Sequence, residues 1–458
     1  MVSMEVNGGA ASVAVLTPSQ ARLAEYLWRK EAGSQSQALE SIPTAVPKSV
    51  FKAPIEIGGL PSPGSMHGSR IVIQAGVGAS QCTAYVASGT QLYSVQLPGQ
   101  SGSLKSTLRG KGGLLLPVQV EGATTTRLDH IPHRSEVQAL ALAEPSGSSP
   151  GLLGSIDAYG RVVVAKLPFN EAHESGYGQR AALDSRTEDG AASTSGRTND
   201  DNLAAPFTAY PRDAGVGEGG WAGLAFVPGQ TSAFATARFW AKRLDLYDRD
   251  MHVRSLPTLQ NPTALQFLGA SDGAEAGQST LLAVAEGPQL SIWDLRMGER
   301  GGCTQRITVE FGGAPLYALD CTSGCGGVVG VTGASRCVYV FDTRRWTCRS
   351  RWSGCLKYEV TGMHFSSVDP ALVYVNGLDY EVVCGTWDKD GSRGAVGRRF
   401  AFRGDSRWLG VHKAASSDLI GGWTDSSNLF VVDVEKGLLD PALDASQASL
   451  GQQDAFDD

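Results

Sequence analysis

The sequence predicts an all-β fold, and three features of its 458 residues support that prediction. From residue 69 onward, short alternating runs rich in Val, Ile, Tyr and Trp each end in Gly, Ser, Asp or Pro, which is typical of strands and turns. The 57 glycines indicate many turns between short strands. The strand runs also recur, and a period of about 40 to 45 residues is typical of a ring of β-sheet blades.

The N-terminal extension, residues 1–65, carries the one helix that the pattern predicts, at residues 17–32. Thr17 and Gln20 stand three residues apart as a helix-capping pair, and an apolar stripe follows them. We expect this helix to pack against the main domain. A stretch rich in Ser, Gln and Pro comes next, and it contains one predicted strand at residues 49–57.

Residues 66–435 contain seven copies of one pattern, in which a strand usually ends in a large residue. Small, apolar inner strands and second strands rich in Gly and Ala precede these marker strands, as in PLYALDC followed by GVVGVTG. Small residues suit the crowded centre of a ring. The sequence therefore predicts a single seven-bladed β-propeller, closed by the strand at residues 49–57 because an open sheet edge invites aggregation. The markers are Val95, Ala165, Tyr247, Trp293, Phe341, Trp387 and Val432, and the pattern places the Trp387 copy only to within about two residues.

Two segments are predicted to lack regular structure. Residues 170–213, between the second and third copies, contain SRTEDGAASTSGRTNDDN, which has few apolar residues and predicts a disordered inter-blade insertion. Residues 436–458 read as an acidic flexible tail.

Composition excludes several classes of function. The 39 basic and 46 acidic residues give a net charge of −7 without long like-charged blocks, which argues against direct nucleic-acid binding. No run approaches the roughly 18 to 20 apolar residues of a membrane helix, so no membrane insertion is predicted. The N-terminus lacks the pattern of a secretory signal, and the eight cysteines are too few for a disulfide scaffold. We therefore expect an intracellular protein, cytoplasmic or nuclear or both.

The sequence predicts no cofactor, no metal and no catalytic site. Cys321 and Cys325 are close together, but no second ligand pair follows at a spacing typical of zinc sites. A propeller hydrolase stays open as an alternative, although it needs convergent titratable residues at the mouth of the central channel, and no motif supplies them.

The repeats resemble the WD-repeat β-propeller family (WD40). Trp293-Asp294 is the signature dipeptide of that family, and the other copies carry degenerate versions of it. His133 and Asp157 resemble the structural His and turn Asp of the family, and Asp425 resembles the same turn Asp. The resemblance implies that these side chains hold strands together within a blade.

Residues 281–296, LLAVAEGPQLSIWDLR, resemble a sixteen-residue box. WD-repeat substrate receptors use this box to bind the adaptor of cullin-4 ubiquitin ligases. The box is degenerate, because Val284 and Gly287 depart from it. Most of its pattern is also that of any buried strand, whereas an exposed arginine fork serves no folding role. A second, poorer box ends in CVYVFDTR. The partner-binding residues that the resemblance implies are Trp293, Asp294, Arg296 and Arg344.

These features predict a non-catalytic protein-interaction scaffold whose partners are proteins. One hypothesis is a substrate receptor of a cullin-4 RING ubiquitin ligase that docks on the ligase adaptor. The alternative is a structural subunit of a nuclear or cytoplasmic multiprotein assembly, in trafficking, a pore or RNA processing. A rigid ring offers both functions two faces and a rim, with specificity set by its loops.

Overall fold

The computed structural model describes residues 43–58, 61–62, 69–76, 82–97, 113–143, 151–167, 207–213, 219–269, 280–298, 302–309, 312–322, 327–388 and 397–438. Within these ranges the chain forms thirty β-strands and no helix, so the all-β prediction is confirmed. The strands form seven sheets, as predicted for a seven-bladed β-propeller. The described residues include no helix that could span a membrane. The predicted helix at residues 17–32 lies outside them.

The strands are numbered in chain order, and the first, β1 (Pro43–Pro54), belongs to the last blade. The other blades each contain four strands in antiparallel order from the central channel to the rim. Blade one contains β2 (Ile71–Ala75), β3 (Cys82–Ser88), β4 (Gln91–Leu97) and β7 (Thr124–Arg127). Blade two contains β8 (Val137–Ala143), β9 (Leu152–Asp157), β10 (Val162–Lys166) and β11 (Phe207–Ala209). Blade three contains β12 (Ala222–Phe226), β13 (Ala233–Arg238), β14 (Arg243–Asp248) and β15 (Met251–Pro257).

The remaining blades follow the same order. Blade four contains β16 (Pro262–Phe267), β17 (Leu281–Glu286), β18 (Gln289–Asp294) and β19 (Cys303–Thr308). Blade five contains β20 (Leu316–Cys321), β21 (Val328–Gly333), β22 (Cys337–Asp342) and β23 (Cys348–Ser353). Blade six contains β24 (Val360–Phe365), β25 (Leu372–Gly377), β26 (Glu381–Thr386) and β27 (Gly397–Arg403). Blade seven contains β28 (Trp408–Lys413), β29 (Asp418–Thr424), β30 (Asn428–Leu438) and β1.

The ring is closed by β1, which pairs antiparallel with β30 along its whole length. The pairing places Val50 opposite Val432, and it continues to Pro43 through an irregularity after Pro47. The predicted closing strand at residues 49–57 therefore overlaps the observed strand only as far as Pro54. Its start was missed because two prolines, which interrupt a strand pattern, lie in this segment.

A second closing element comes from blade one. Between β4 and β7 the chain turns back over the rim as β5 (Leu114–Leu115) and β6 (Val118–Gln119). β6 pairs parallel with β1 and β5 pairs parallel with β27, so they become the fifth strands of blades seven and six. We call residues 113–120 the strap. It covers two sheet edges that would otherwise present unpaired backbone groups.

Blade six departs from the predicted repeat at its marker residue. In blades three to five a bulge in the pairing of the third and fourth strands immediately precedes the marker. In blade six that bulge lies between Cys384 and Gly385, so Gly385 occupies the marker position and Trp387 lies two residues beyond it. The indole of Trp352, from blade five, fills the space where Gly385 would carry a side chain.

The predicted insertion and tail each overlap a strand. Phe207–Ala209, near the end of the predicted insertion at residues 170–213, forms β11 and pairs with β10. The preceding part of that insertion, up to residue 206, lies outside the described residues. β30 continues to Leu438, three residues into the segment predicted as a flexible tail, and the rest of that segment is likewise not described.

Candidate protein-binding site

The two faces of the ring carry different turns. The lower face carries the turns between the third and fourth strands of each blade, such as the turn after Asp294. The upper face carries the turns between the second and third strands, such as the turn at Gly160. The residues of the predicted adaptor-binding box therefore end at the lower face.

Asp294 and Arg296 form a closed fork on the lower face of blade four. Asp294 Oδ1 accepts hydrogen bonds from the backbone N and the Nε of Arg296, both at 3.0 Å. Asp294 Oδ2 accepts a third bond from Arg296 Nη2 at 2.7 Å. These bonds lower the pKa of Asp294, so its carboxylate stays ionised. The Arg296 side chain is 71% exposed, so the carboxylate holds a guanidinium in a fixed orientation at the surface.

Blade five repeats the same geometry. Asp342 Oδ1 accepts a bond from the backbone N of Arg344 at 2.8 Å, and Asp342 Oδ2 accepts one from Arg344 Nη2 at 3.2 Å. The Arg344 side chain is 74% exposed. Arg344 also lowers the pKa of Asp342 through these hydrogen bonds. We call the pairs Asp294/Arg296 and Asp342/Arg344 the arginine forks. They occupy equivalent positions in adjacent blades, so they form one bipartite surface.

Trp293 does not belong to that surface. Its side chain is 3% exposed, and its Nε1 donates a hydrogen bond to Ser291 Oγ at 3.0 Å. The Arg306 guanidinium lies 5.5 Å from the ring centre and covers it on the rim side. Trp293 therefore supports the turn from inside the blade, and a partner has no access to its ring.

Arg254 is a further residue of this site, and no motif in the sequence indicates its role. It lies on β15 of blade three, and its Nη1 donates to the carbonyl oxygen of Met297 at 2.5 Å. Its Nη2 donates to the carbonyl oxygen of Leu295. Arg254 thus holds both sides of the turn that presents Arg296. Only the folded ring brings it there, since 43 residues separate Arg254 from Met297.

Blade two contains a buried Ser-His-Asp arrangement. His133 Nε2 lies 2.8 Å from Ser155 Oγ, and His133 Nδ1 lies 3.3 Å from Asp157 Oδ2. This is the hydrogen-bond order of a catalytic triad. However, the side chains of His133 and Asp157 are 0% and 2% exposed, so no substrate reaches them. Asp157 Oδ1 also accepts from the backbone N of Arg161, so the group ties a turn to its blade, as the resemblance implied.

Asp425 does not take the equivalent place in blade seven. The strand register puts Thr424 at the position of Asp157. Thr424 Oγ1 donates to Asp405 Oδ1 at 3.0 Å, whereas the Asp425 side chain is 45% exposed and lies 3.7 Å from Arg407. The implied turn role of Asp425 is therefore wrong by one residue.

The channel walls carry a polar belt that the sequence analysis missed. Gln266 Nε2 donates to Asp320 Oδ1 at 2.9 Å, which links blade four to blade five. Asp320 Oδ2 accepts from the backbone N of Phe365 at 2.6 Å, which links blade five to blade six. Each side chain is the fifth residue of its inner strand, a position that holds an apolar residue in blades one to three. The belt consists of Gln266, Asp320, His364 and His412.

Two histidines complete the belt. His364 Nε2 donates to the carbonyl oxygen of Val411 at 3.2 Å, and His412 Nδ1 accepts from the backbone N of Ile73 at 3.2 Å. Because His412 Nδ1 accepts a bond, its ring is neutral and carries its proton on Nε2. The belt thus joins four consecutive blade junctions, including the one between the last blade and the first. The cavity that His364 lines is about 150 Å³, below the roughly 300 Å³ of the smallest typical ligand pockets.

Because the histidines of the belt are buried, we expect the protein to lose stability in acid. Burial lowers the pKa of His412 to about 3 from its ordinary 6.5, with the neighbouring His364 as a second cause. Between pH 6.5 and pH 3, His412 is therefore protonated in the unfolded chain but not in the folded chain. The free energy of unfolding is highest above pH 6.5 and falls as the pH drops toward 3. One such group contributes at most about 1.4 kcal/mol per pH unit.

Urea denaturation between pH 7 and pH 4.5 measures this effect. We expect His412→Asn, whose Oδ1 takes the place of Nδ1 and can still accept from Ile73, to lose less stability than the wild type over that range. Equal slopes for the two proteins would show that His412 titrates normally in the folded state.

Comparisons with known proteins show the fold alone. No protein-family model matches the sequence, and no curated protein matches it. Among solved structures 1324 chains match, one of them from the crystal structure of a mitotic checkpoint complex. That match has a TM-score of 0.51 and 11% sequence identity, and it covers 94% of this chain and 100% of that chain. So many matches indicate a widely used architecture, and a fold shared this widely does not identify a function.

Proposed function

We propose that the chain is a non-catalytic protein-interaction scaffold, and that the arginine forks dock it on the adaptor of a cullin-4 ubiquitin ligase. The observation that carries the proposal is the repetition of one exposed, oriented Asp-x-Arg turn in two adjacent blades. Folding does not require an exposed guanidinium at either turn. A planar, pre-oriented guanidinium suits bidentate recognition of a carboxylate or of backbone carbonyls in a partner.

The environment of the forks supports a docking surface. Met297, in the same turn as Arg296, is 44% exposed, and Met251 at the lower end of blade three is 68% exposed. Apolar side chains beside arginines are typical of interface cores, where a few Arg and aromatic residues carry most of the binding energy. The opposite, upper face stays free for a substrate in this arrangement, and the complex would be cytoplasmic or nuclear.

The test is the affinity of the full chain for the purified adaptor. We expect Arg296→Glu and Arg344→Glu each to weaken binding at least about thirtyfold, the effect of losing a 2 kcal/mol hot spot. The control is Lys166→Glu, the same charge reversal at an exposed lysine at the lower end of blade two. All variants should have the same melting temperature as the wild type, because each altered side chain is exposed.

Two outcomes contradict the receptor hypothesis. One is a wild-type chain that does not bind the adaptor, and the other is a double variant that binds as tightly as the wild type. In either case, a stoichiometric partner set that co-purifies with wild type and double variant alike would support the alternative, a structural subunit of a multiprotein assembly.

A further inference from the structure

Three large aromatic side chains are exposed on the upper face, in turns of blades two and three. Tyr159, Tyr210 and Trp240 are 46%, 54% and 59% exposed. Tyr159 and Trp240 lie in the turns between second and third strands, and Tyr210 follows the outer strand of blade two. We call these three residues the upper aromatic cluster. Folding leaves these three side chains exposed to water, although large aromatic side chains contribute much stabilising free energy when they are buried.

The backbone around the cluster is held tightly. Gly160, with a φ of 80°, leaves no room for a side chain because the Arg238 stem packs against it, and this contact joins the turns of the two blades. The Trp240 indole lies against Gly220 in the same way. It also meets the Phe239 ring edge to face, with ring centres 4.9 Å apart. The Trp240 side chain is therefore fixed in its exposed position before any partner arrives.

Cations surround the cluster. The Arg161 guanidinium lies 5.6 Å from the centre of the Tyr210 ring. Arg212 and Lys242 are exposed, and neither forms an ion pair within the described part of the chain.

Asp213, which directly follows Arg212, is already paired with two arginines. Its Oδ1 accepts from Arg238 Nη2 at 2.5 Å and its Oδ2 from Arg243 Nη1 at 3.2 Å. Those ion pairs lower the pKa of Asp213 against the opposing effect of burial. Within the described residues of these turns, Arg212 and Lys242 are therefore cations without a paired carboxylate, although the whole chain has a net charge of −7.

We propose that the upper aromatic cluster binds an extended acidic peptide segment of a partner protein, with an apolar side chain of the peptide seated on Trp240. Rigid aromatic rings flanked by arginines have the composition of binding hot spots, and a fixed ring loses little conformational entropy on binding. Arg212 and Lys242 would pair with peptide carboxylates. Two free cations are too few for a nucleic acid, whose binding takes many phosphate contacts. The proposal does not depend on the arginine forks, which lie on the other face.

The experiment is a selection of random dodecapeptides displayed on phage against the immobilised full chain. We expect the enriched peptides to contain several Asp or Glu residues beside an aromatic or Leu residue. As synthetic peptides, they should bind Trp240→Ala and the double variant Arg212→Glu/Lys242→Glu at least tenfold more weakly than the wild type. The control is Tyr380→Ala, which removes a tyrosine of similar exposure, 45%, in blade six of the same face.

Three results would overturn the proposal. These are enrichment without acidic residues, binding that the cluster variants leave unchanged, and tighter binding of a 20-nucleotide single-stranded oligonucleotide that depends on the same residues. The arginine-fork variants should bind the peptides normally, and the cluster variants should bind the ligase adaptor normally. Failure of one proposal is therefore separable from failure of the other.

Discussion

Replacing Val50 with Asp is expected to lower the free energy of unfolding by more than about 4 kcal/mol, because it buries an unpaired charge at the ring closure. Val50 is 1% exposed, and it packs with Val432, Ile420 and Trp408 inside blade seven. The variant would lose the pairing of β1 with β30, on which the closed ring depends.

Urea denaturation followed by tryptophan fluorescence measures this loss. Lys48→Ala is the matched control, since Lys48 lies on the same strand with 52% of its side chain exposed and pairs with Asp433 and Glu435 at the surface. We expect that variant to lose less than about 1 kcal/mol. If Val50→Asp unfolds at the wild-type urea concentration, β1 is not the closing strand.

Gly385→Ala is expected to cost about 2 to 3 kcal/mol, the upper range for overpacking a core. The added methyl group would overlap the six-membered ring of the Trp352 indole, which is 93% buried between blades five and six. Gly397→Ala is the control, because Gly397 pairs with Thr386 on the next strand and has open space around its Cα.

A double-mutant cycle identifies the cause of that loss. In the Trp352→Phe background the shorter ring leaves room for the methyl group, so Gly385→Ala should cost much less there than in the wild type. An equal cost in both backgrounds would mean that backbone strain, and not contact with Trp352, destabilises the variant. If Gly385→Ala does not change the free energy of unfolding, Gly385 does not occupy the marker position of blade six, and Trp387 does.

Seven blades could be predicted from the sequence because the markers from Tyr247 to Val432 follow one another at a nearly constant spacing, and two upstream copies share their strand pattern. The same reasoning placed the marker of blade six only to within about two residues, since Trp387-Asp388 looks like the signature dipeptide while the strand register puts Gly385 at the marker position. Nothing in residues 113–120 predicts the strap, because its strands are two residues long and they pair with distant segments, β6 with Phe51 and Lys52 and β5 with Ala401 and Phe402. Pairing between distant segments leaves no periodic signal in either of them.

The candidate site was predictable only where its contacts are local. Asp294 and Arg296 are two residues apart, so their fork could be inferred from one short motif, whereas Arg254 reaches the same turn from another blade. The polar belt had a signal that went unused. Asp320, His364 and His412 all stand fifth in their inner strands, but that signal becomes visible only when the seven copies are aligned by strand register.

The pairing of β1 with β30 also dictates the order of events during synthesis. A distance of 387 residues separates Lys48 from its partner Glu435, so β1 leaves the ribosome long before the strand that it must join. Blades one to six can form in turn from local hairpins, while the backbone hydrogen-bonding groups of β1 stay unpaired. Closure is then the last step, and such a long-range contact is slow to form. Unpaired strand edges aggregate readily, so we expect chaperones to shield β1 until the ring closes.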